Sequence, residues 1–188
     1  MSADDDRRLI IKCLKGDEAA FTVLMHRHEE RLFNTVYRVV GSVEDAQDVV
    51  QDTFINAFQS LASFKGDSQF FTWLYRIAYN TAISHKRKQK GVISIDTGRN
   101  GEAAIEPLDN SESNQPGFAI ERTERERYVQ RCLNQMSPEH RAVLVLKDMD
   151  DMKYEEIAVI LNVPIGTIRS RLHRARLEFR EILEKQDR

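Results

Sequence analysis

Apolar residues along this chain recur at helical spacing, and no stretch alternates apolar and polar positions long enough to suggest a strand. Leu9-Ile10 to Leu14 and Phe21 to Val40 each carry a helical stripe, broken near Gly16-Asp17 and again at Gly41-Ser42. Ser42-Val43-Glu44-Asp45 sets a serine three residues ahead of an acid, a helix-start signature. The helix it opens is expected to run to about Leu61, burying Ala46, Val50, Phe54, Ala57 and Leu61 opposite Glu44, Asp45, Asp48 and Asp52. Ser137-Pro138-Glu139 is a second start, with Ser at the N-cap and Pro at the first helical position. It precedes Ala142, Val143, Leu146 and Met149 at helical spacing. From Tyr154 to Arg176 two short helices are predicted, joined at Asn162-Val163-Pro164. Between Gly91 and Phe118 the periodicity stops. That segment holds four of the eight glycines, two of the four prolines and five acids against one base. The pattern therefore predicts an all-α chain of two small helical domains, residues 1–90 and 119–188, joined by a flexible linker over 91–118.

The second of the paired helices carries its own chemistry. Ile165, Ile168, Leu172, Ala175 and Phe179 follow one another by steps of three and four, one buried stripe. At about 100° per residue, Thr167, Ser170 and Arg174 fall roughly opposite it, with Arg169, Arg171 and His173 on the flanks. Thr167 to Arg180 contains five arginines and one acid, Glu178. A solvated surface face ordinarily mixes both signs. A helix buried on one side and studded with arginine on the other suits the major groove, where Arg reads guanine edges and phosphate contacts hold the register. Residues 154–173 read as a DNA-binding helix-turn-helix.

Composition narrows the remaining classes. The net charge of −2 argues against a generic nucleic-acid coat, so the basic footprint is local and the free chain should bind DNA weakly. No apolar run is long enough to span a bilayer, and the N-terminus opens Ser2-Ala3-Asp4-Asp5-Asp6 without a signal peptide. Cys13 and Cys132 lack CxxC spacing, so reduced thiols and a cytoplasmic setting are expected. His26 and His28 point about 200° apart on a helix and do not easily share a metal. No phosphate-cradling glycine loop, HExxH or nucleophile elbow occurs. No catalytic residue, metal or cofactor is expected.

Six of the fifteen aromatics lie between Phe64 and Tyr79, namely Phe64, Phe70, Phe71, Trp73, Tyr75 and Tyr79. Lys65 and Arg76 are interleaved with them, and His85-Lys86-Arg87-Lys88-Gln89-Lys90 follows. Unpaired bases stack on flat side chains while cations track the backbone, so this composition fits single-stranded nucleic acid. Core packing is at least as good a reading for Trp73, Leu74 and Ile77. Phe64-Lys65-Gly66-Asp67-Ser68 reads as a loop.

Three segments now carry a resemblance: Asp48 to Phe58, Phe64 to Asn80, and Tyr154 to Arg176. In order and spacing they closely resemble the bacterial RNA polymerase sigma factors of the extracytoplasmic-function group, sigma-E type. The resemblance implies a region 2 that binds core polymerase and melts the −10 element, and a region 4 that reads the −35 element. By position it implies that the helix from Asp48 docks on the β′ clamp helices, with Asp45, Asp48, Val49, Gln51, Asp52 and Ile55 as contacts. Without the resemblance, the acidic stripe is equally that of any surface helix. For the −10 element it implies Phe64, Lys65, Gly66, Asp67, Ser68, Phe70 and Phe71 in the loop that captures a flipped base, and Arg76, Tyr79 and Asn80 on the helix that contacts the same element. For the −35 element it implies Thr167, Arg169, Ser170, Arg171, Arg174 and Arg176. His173 and the basic run Lys86–Lys90 depart modestly from the family pattern. Implied partners are core RNA polymerase (β′ clamp helices and β flap), promoter DNA and an anti-sigma factor, with no membrane insertion, and the regulon would serve stress or the envelope. As a coil, the 28-residue linker would span about 30 Å, and stretched about 95 Å. One DNA turn is about 34 Å, so the linker would let two modules reach sites more than a turn apart. The competing reading is a free-standing helix-turn-helix regulator whose N-terminal half is a sensor. A sensor needs neither the aromatic–basic segment nor the long linker.

Overall fold

The computed structural model describes residues 3–96 and 124–186, and every regular element among them is helical. The first set comprises α1 (Ala3–Leu14), α2 (Glu18–Val40), α3 (Val43–Ser60) and α4 (Phe70–Asp96), with a 3-10 turn at Leu61–Ser63. The second comprises α5 (Glu124–Gln135), α6 (Pro138–Leu144), a π-helical turn at Val145–Met149, α7 (Tyr154–Leu161) and α8 (Ile165–Gln186).

The expected breaks are chemical ones. Asp17 caps α2 by accepting the Ala20 N–H at 3.2 Å, and Ser42 caps α3 by accepting that of Asp45 at 3.2 Å. Gly41 ends α2 at φ +89, a left-handed conformation that favours glycine. The predicted apolar face of α3 is buried throughout, from Ala46 to Leu61. It packs between α2 and α4.

Three expectations need correction. The helix α4 runs through Gly91 to Asp96, so the first residues assigned to the linker are helical. A single glycine costs a helix only about 1 kcal/mol relative to alanine. The rest of the predicted linker lies outside the described residues. Ser137 starts α6 but its side chain does not cap it. Glu178 of α8 does so instead: its carboxylate accepts the Ser137 N–H at 2.7 Å and the Ser137 hydroxyl at 3.2 Å, and pairs with His140. Donating to this charged acceptor turns the Ser137 hydroxyl away from the N–H groups it would otherwise cap. Finally, Ile165 is 40% exposed, so the buried stripe of α8 begins at Ile168.

The two sets share one connected cluster of buried apolar residues. Polar contacts between them concentrate on the C-terminal end of α2, where the last carbonyls of a helix have no partner within it. Gln130 donates to Arg38 O at 3.4 Å, Arg141 to Val39 O at 3.1 Å, and Asn134 to Gly41 O at 3.3 Å. Arg141 also donates to Asn134 O and Met136 O, tying the α5–α6 turn to the same point. Burial lowers its pKa. Nearby, Arg38 stands 3.7 Å from the Asp150 carboxylate, whose pKa burial raises. At the other end, Thr72 of α4 donates to Glu156 at 2.9 Å, while Glu156 also accepts the Lys153 N–H that opens α7.

Candidate nucleic-acid interface

The helix-turn-helix forms where the sequence placed it, although its second helix is not short and runs 22 residues to Gln186. Asn162 ends α7 in the left-handed region at φ 53, one of the few non-glycine residues that tolerate it. Val163 N–H then closes back on Ala158 O at 3.1 Å, and α8 leaves from Pro164. Ile157, Ile160 and Leu161 of α7 and Ile168, Leu172 and Ala175 of α8 are buried together, fixing which side of α8 faces out.

That outward side is not uniform. Arg169, Ser170, His173 and Arg174 are exposed, and Thr167 is half-buried beside them. Ser170 donates to Thr167 O, and the Arg169 guanidinium lies 5.8 Å from the centre of the Tyr154 ring. Arg171 is drawn toward α6, 3.2 Å from Glu139. Arg176 is held by both Asp148 oxygens, at 2.6 and 2.9 Å, bonds that raise its pKa. It therefore points along the protein rather than outward with Arg174. Its place beside the buried stripe is the reason.

In the first set, Lys65, Gly66 and Asp67 are exposed on the loop between the 3-10 turn and α4, with Phe64 and Ser68 half-buried. Gly66 has φ +80, which only glycine adopts without strain. Phe70 and Phe71, expected among the base contacts, are both 4% exposed. They belong to a stripe, Phe70, Phe71, Leu74, Tyr75, Ala78 and Ala82, that repeats by four and buries one side of α4. Phe70 and Phe71 are thus the floor beneath the loop. Phe64 packs over it, its ring 5.8 Å from Phe70 and 5.3 Å from Trp73. Trp73 is half-buried and shares a strip of α4 with exposed Arg76 and Asn80, at steps of three and four. Tyr79 faces the second set: burial raises its pKa most, and Arg171 and Glu139 are near enough to act on it. Arg76 borders a groove with Val159, Asn162, Val163 and Pro164 of the helix-turn-helix.

On α3, Asp48, Gln51 and Ile55 are exposed, and Asp45 and Asp52 half-buried. Val49, grouped with them from the sequence, is 1% exposed and belongs to the core. It lies one turn from Ala46 and next to Val50, at the edge of the buried face. Phe58 was not anticipated, yet it is 47% exposed next to Ile55 on the same strip. Its spacing of three from Ile55 and seven from Gln51 was a readable signal. Asp52 is bonded at 2.8 Å by His85 of α4.

A helix-turn-helix with outward arginines, coupled to a helical unit bearing an aromatic loop, defines a two-part DNA-binding transcription protein. Comparison with known proteins narrows the class. Residues 24–92 match the family Sigma-70 region 2, and residues 126–179 match Sigma-70, region 4. The RNA polymerase sigma-H factor of Pseudomonas aeruginosa is 33% identical over 183 residues, covering 94% of this chain and 92% of that one. The ECF RNA polymerase sigma-E factor of Escherichia coli K12 is 36% identical over 178 residues, covering 91% and 90%. Among solved structures, the sigma factor RpoE of Bartonella quintana in complex with the anti-sigma factor NepR superposes with a TM-score of 0.68 at 27% identity, covering 87% of this chain and 96% of that one. CnrH in complex with the cytosolic domain of CnrY gives 0.68 at 25% identity, covering 96% and 98%. The chain belongs to the extracytoplasmic-function group of RNA polymerase sigma factors. No helix among the described residues is long and apolar enough to cross a membrane.

Proposed function

We propose that the chain binds core RNA polymerase through the exposed strip of α3, reads a −35 element with the first half of α8, and promotes melting at the −10 element. Asp45, Asp48, Gln51, Asp52 and Ile55, joined by Phe58, would meet the β′ clamp helices. The β flap would meet the second set on the apolar groove between the π-helical turn and α8, where Leu144, Met149, Phe179 and Leu183 converge. Thr167, Arg169, Ser170, Arg171 and Arg174 would face the −35 element. A flipped −10 base would be received by the 64–68 loop with Trp73, Arg76, Tyr79 and Asn80 around it. Flipping costs a few kcal/mol, which stacking on an aromatic-lined site offsets.

The observation that carries this reading is the pairing in one chain of an outward-arginine helix-turn-helix with an aromatic loop set on a buried aromatic floor. Catalysis belongs to the polymerase, and the regulon is read as a stress or envelope one. An anti-sigma factor is expected as a partner, acting in the cytoplasm, because a similar sigma factor is held by one.

Run-off transcription from a promoter library, with and without bacterial core polymerase, tests the reading. Core-dependent transcripts together with weak DNA binding by the free chain support it. Tight sequence-specific binding without core, and no transcripts, would mean a free-standing regulator.

A further inference from the structure

We propose that Asp6 and His28 form a positioning pair through which α1 sets the aromatic floor for base capture. The proposal rests on the reading of the 64–68 loop as the base-receiving element. Asp6 lies on α1, upstream of both segments that match the family. Its carboxylate takes Arg27 at 2.7 Å and His28 Nε2 at 2.8 Å. His28 is 5% exposed, and its ring centre sits 5.3 Å from that of Phe70 and 6.0 Å from that of Phe71. Arg31, on the same helix as His28, lies over the Phe71 ring at 3.9 Å.

The imidazole is therefore a spacer with one edge held and its ring wedged at a tilt against the floor. The groups facing it are Asp6 from α1, Arg27 and Arg31 from α2, and the two phenylalanine rings of α4. Burial, offset in part by Asp6, lowers its pKa, so the ring is neutral at neutral pH and Nε2–H donates to Asp6. Nδ1 is buried with no hydrogen-bond partner. Free rotation of this ring would let it seek a partner for that nitrogen. Asp6 is the contact that holds the ring at its tilted seat against Phe70 and Phe71. Phe70 in turn touches Phe64 and Trp73, the rings nearest the loop surface.

Trp73 is the sole tryptophan of the chain, so its emission reports on this cluster directly. Asp6→Ala and His28→Ala should each raise acrylamide quenching of Trp73 in the full-length protein. Asp6→Asn keeps an acceptor and His28→Gln keeps an N–H donor, and both should restore shielding. In holoenzyme on a promoter recovered from the library, the alanine variants should lose several-fold in unstacking of a 2-aminopurine placed in the −10 element. Core affinity should stay at the wild-type level, and a template already mismatched over −10 should recover transcription. Unchanged Trp73 quenching in both alanine variants overturns the proposal alone. Loss of core affinity and thermal midpoint in step with unstacking, without rescue by Asn or Gln, also overturns it, since the pair would then only clamp α1. If Phe64→Ala leaves unstacking intact, the base-capture reading falls and the proposal falls with it.

Discussion

The arginines of α8 differ in task because they differ in angle around the helix. At about 100° per residue, Arg171 and Arg176 lie within roughly 75° of the centre of the buried stripe, and Arg174 lies about 135° from it. The nearer two meet carboxylates of neighbouring elements, Arg176 by two bonds to Asp148 and Arg171 by one 3.2 Å contact to Glu139 that leaves most of its N–H donors for DNA. Arg174 and Ser170 stand clear of the protein's own surface. Arg174→Ala should therefore weaken −35 recognition by about 1–3 kcal/mol, the range for a lost bidentate base contact. Arg176→Ala should leave promoter selectivity unchanged, because its guanidinium is already committed to Asp148. Competition binding of holoenzyme to promoters varied at each −35 position measures both. Equal loss of selectivity in the two variants would show that angle does not sort them. This much was legible in the sequence for Ser170 and Arg174, whose places depend only on the stripe. It was not legible for Arg176, whose partner sits 28 residues away on another element.

At the scale of elements, the sequence showed where helices begin but not always what holds them. Ser42 and Asp17 cap locally, so a four-residue window sufficed. The cap of α6 comes from Glu178, 41 residues downstream of Ser137, a relation no local pattern contains. The same limit explains Phe70 and Phe71: aromatic spacing suggested a stacking surface, and only the packing of α2 against α4 shows them buried. Val49 likewise sits on the margin between two faces that the sequence separated only coarsely. Glu178 offers a test of this long-range capping. Burial opposes its charge, but bonds from Ser137 and His140 outweigh that and lower its pKa below the ordinary 4.5. A depressed carboxylate contributes stability above its unfolded pKa and loses it as pH falls through the folded one. Glu178→Gln should therefore cost about 1 kcal/mol near neutral pH, the usual worth of a helix N-cap. The difference from wild type should shrink as pH falls below 4.5. Urea titrations at neutral and acid pH provide the comparison, and a pH-independent difference would assign the loss to packing.

At the scale of the whole molecule, the two helical sets lie closed on each other, and the closure conflicts with promoter geometry. Arg171 is close enough to act on the Tyr79 phenol, although Tyr79 is proposed to meet the −10 element and Arg171 the −35 element. Elements some 25 base pairs apart lie about 85 Å apart along DNA, at about 3.4 Å per base pair. Reading both as proposed therefore requires the sets to separate, and Gly41 is where the polar ties between them can be loosened. Its backbone is left-handed, and a Cβ there would collide with the Asn134 amide across the boundary between the sets. Gly16 is a natural control. It is also left-handed, at φ +96, but a Cβ added to it meets nothing. Both Gly16→Ala and Gly41→Ala should lose about 1–2 kcal/mol from backbone strain. Only Gly41→Ala should also loosen the sets, as it swings the Asn134 side chain off the Gly41 carbonyl and weakens the carbonyl contacts of Gln130 and Arg141 beside it. Energy transfer between dyes attached at Lys65 and Arg169, each replaced by cysteine in a chain with Cys13 and Cys132 removed, should fall in Gly41→Ala and hold in Gly16→Ala. Trimming the obstacle with Asn134→Ala in the Gly41→Ala background should restore part of the transfer. An equal change in both glycine variants would mean that strain alone loosens the protein. No change in either would mean that the apolar cluster shared by the two sets keeps them closed without the polar ties at the end of α2.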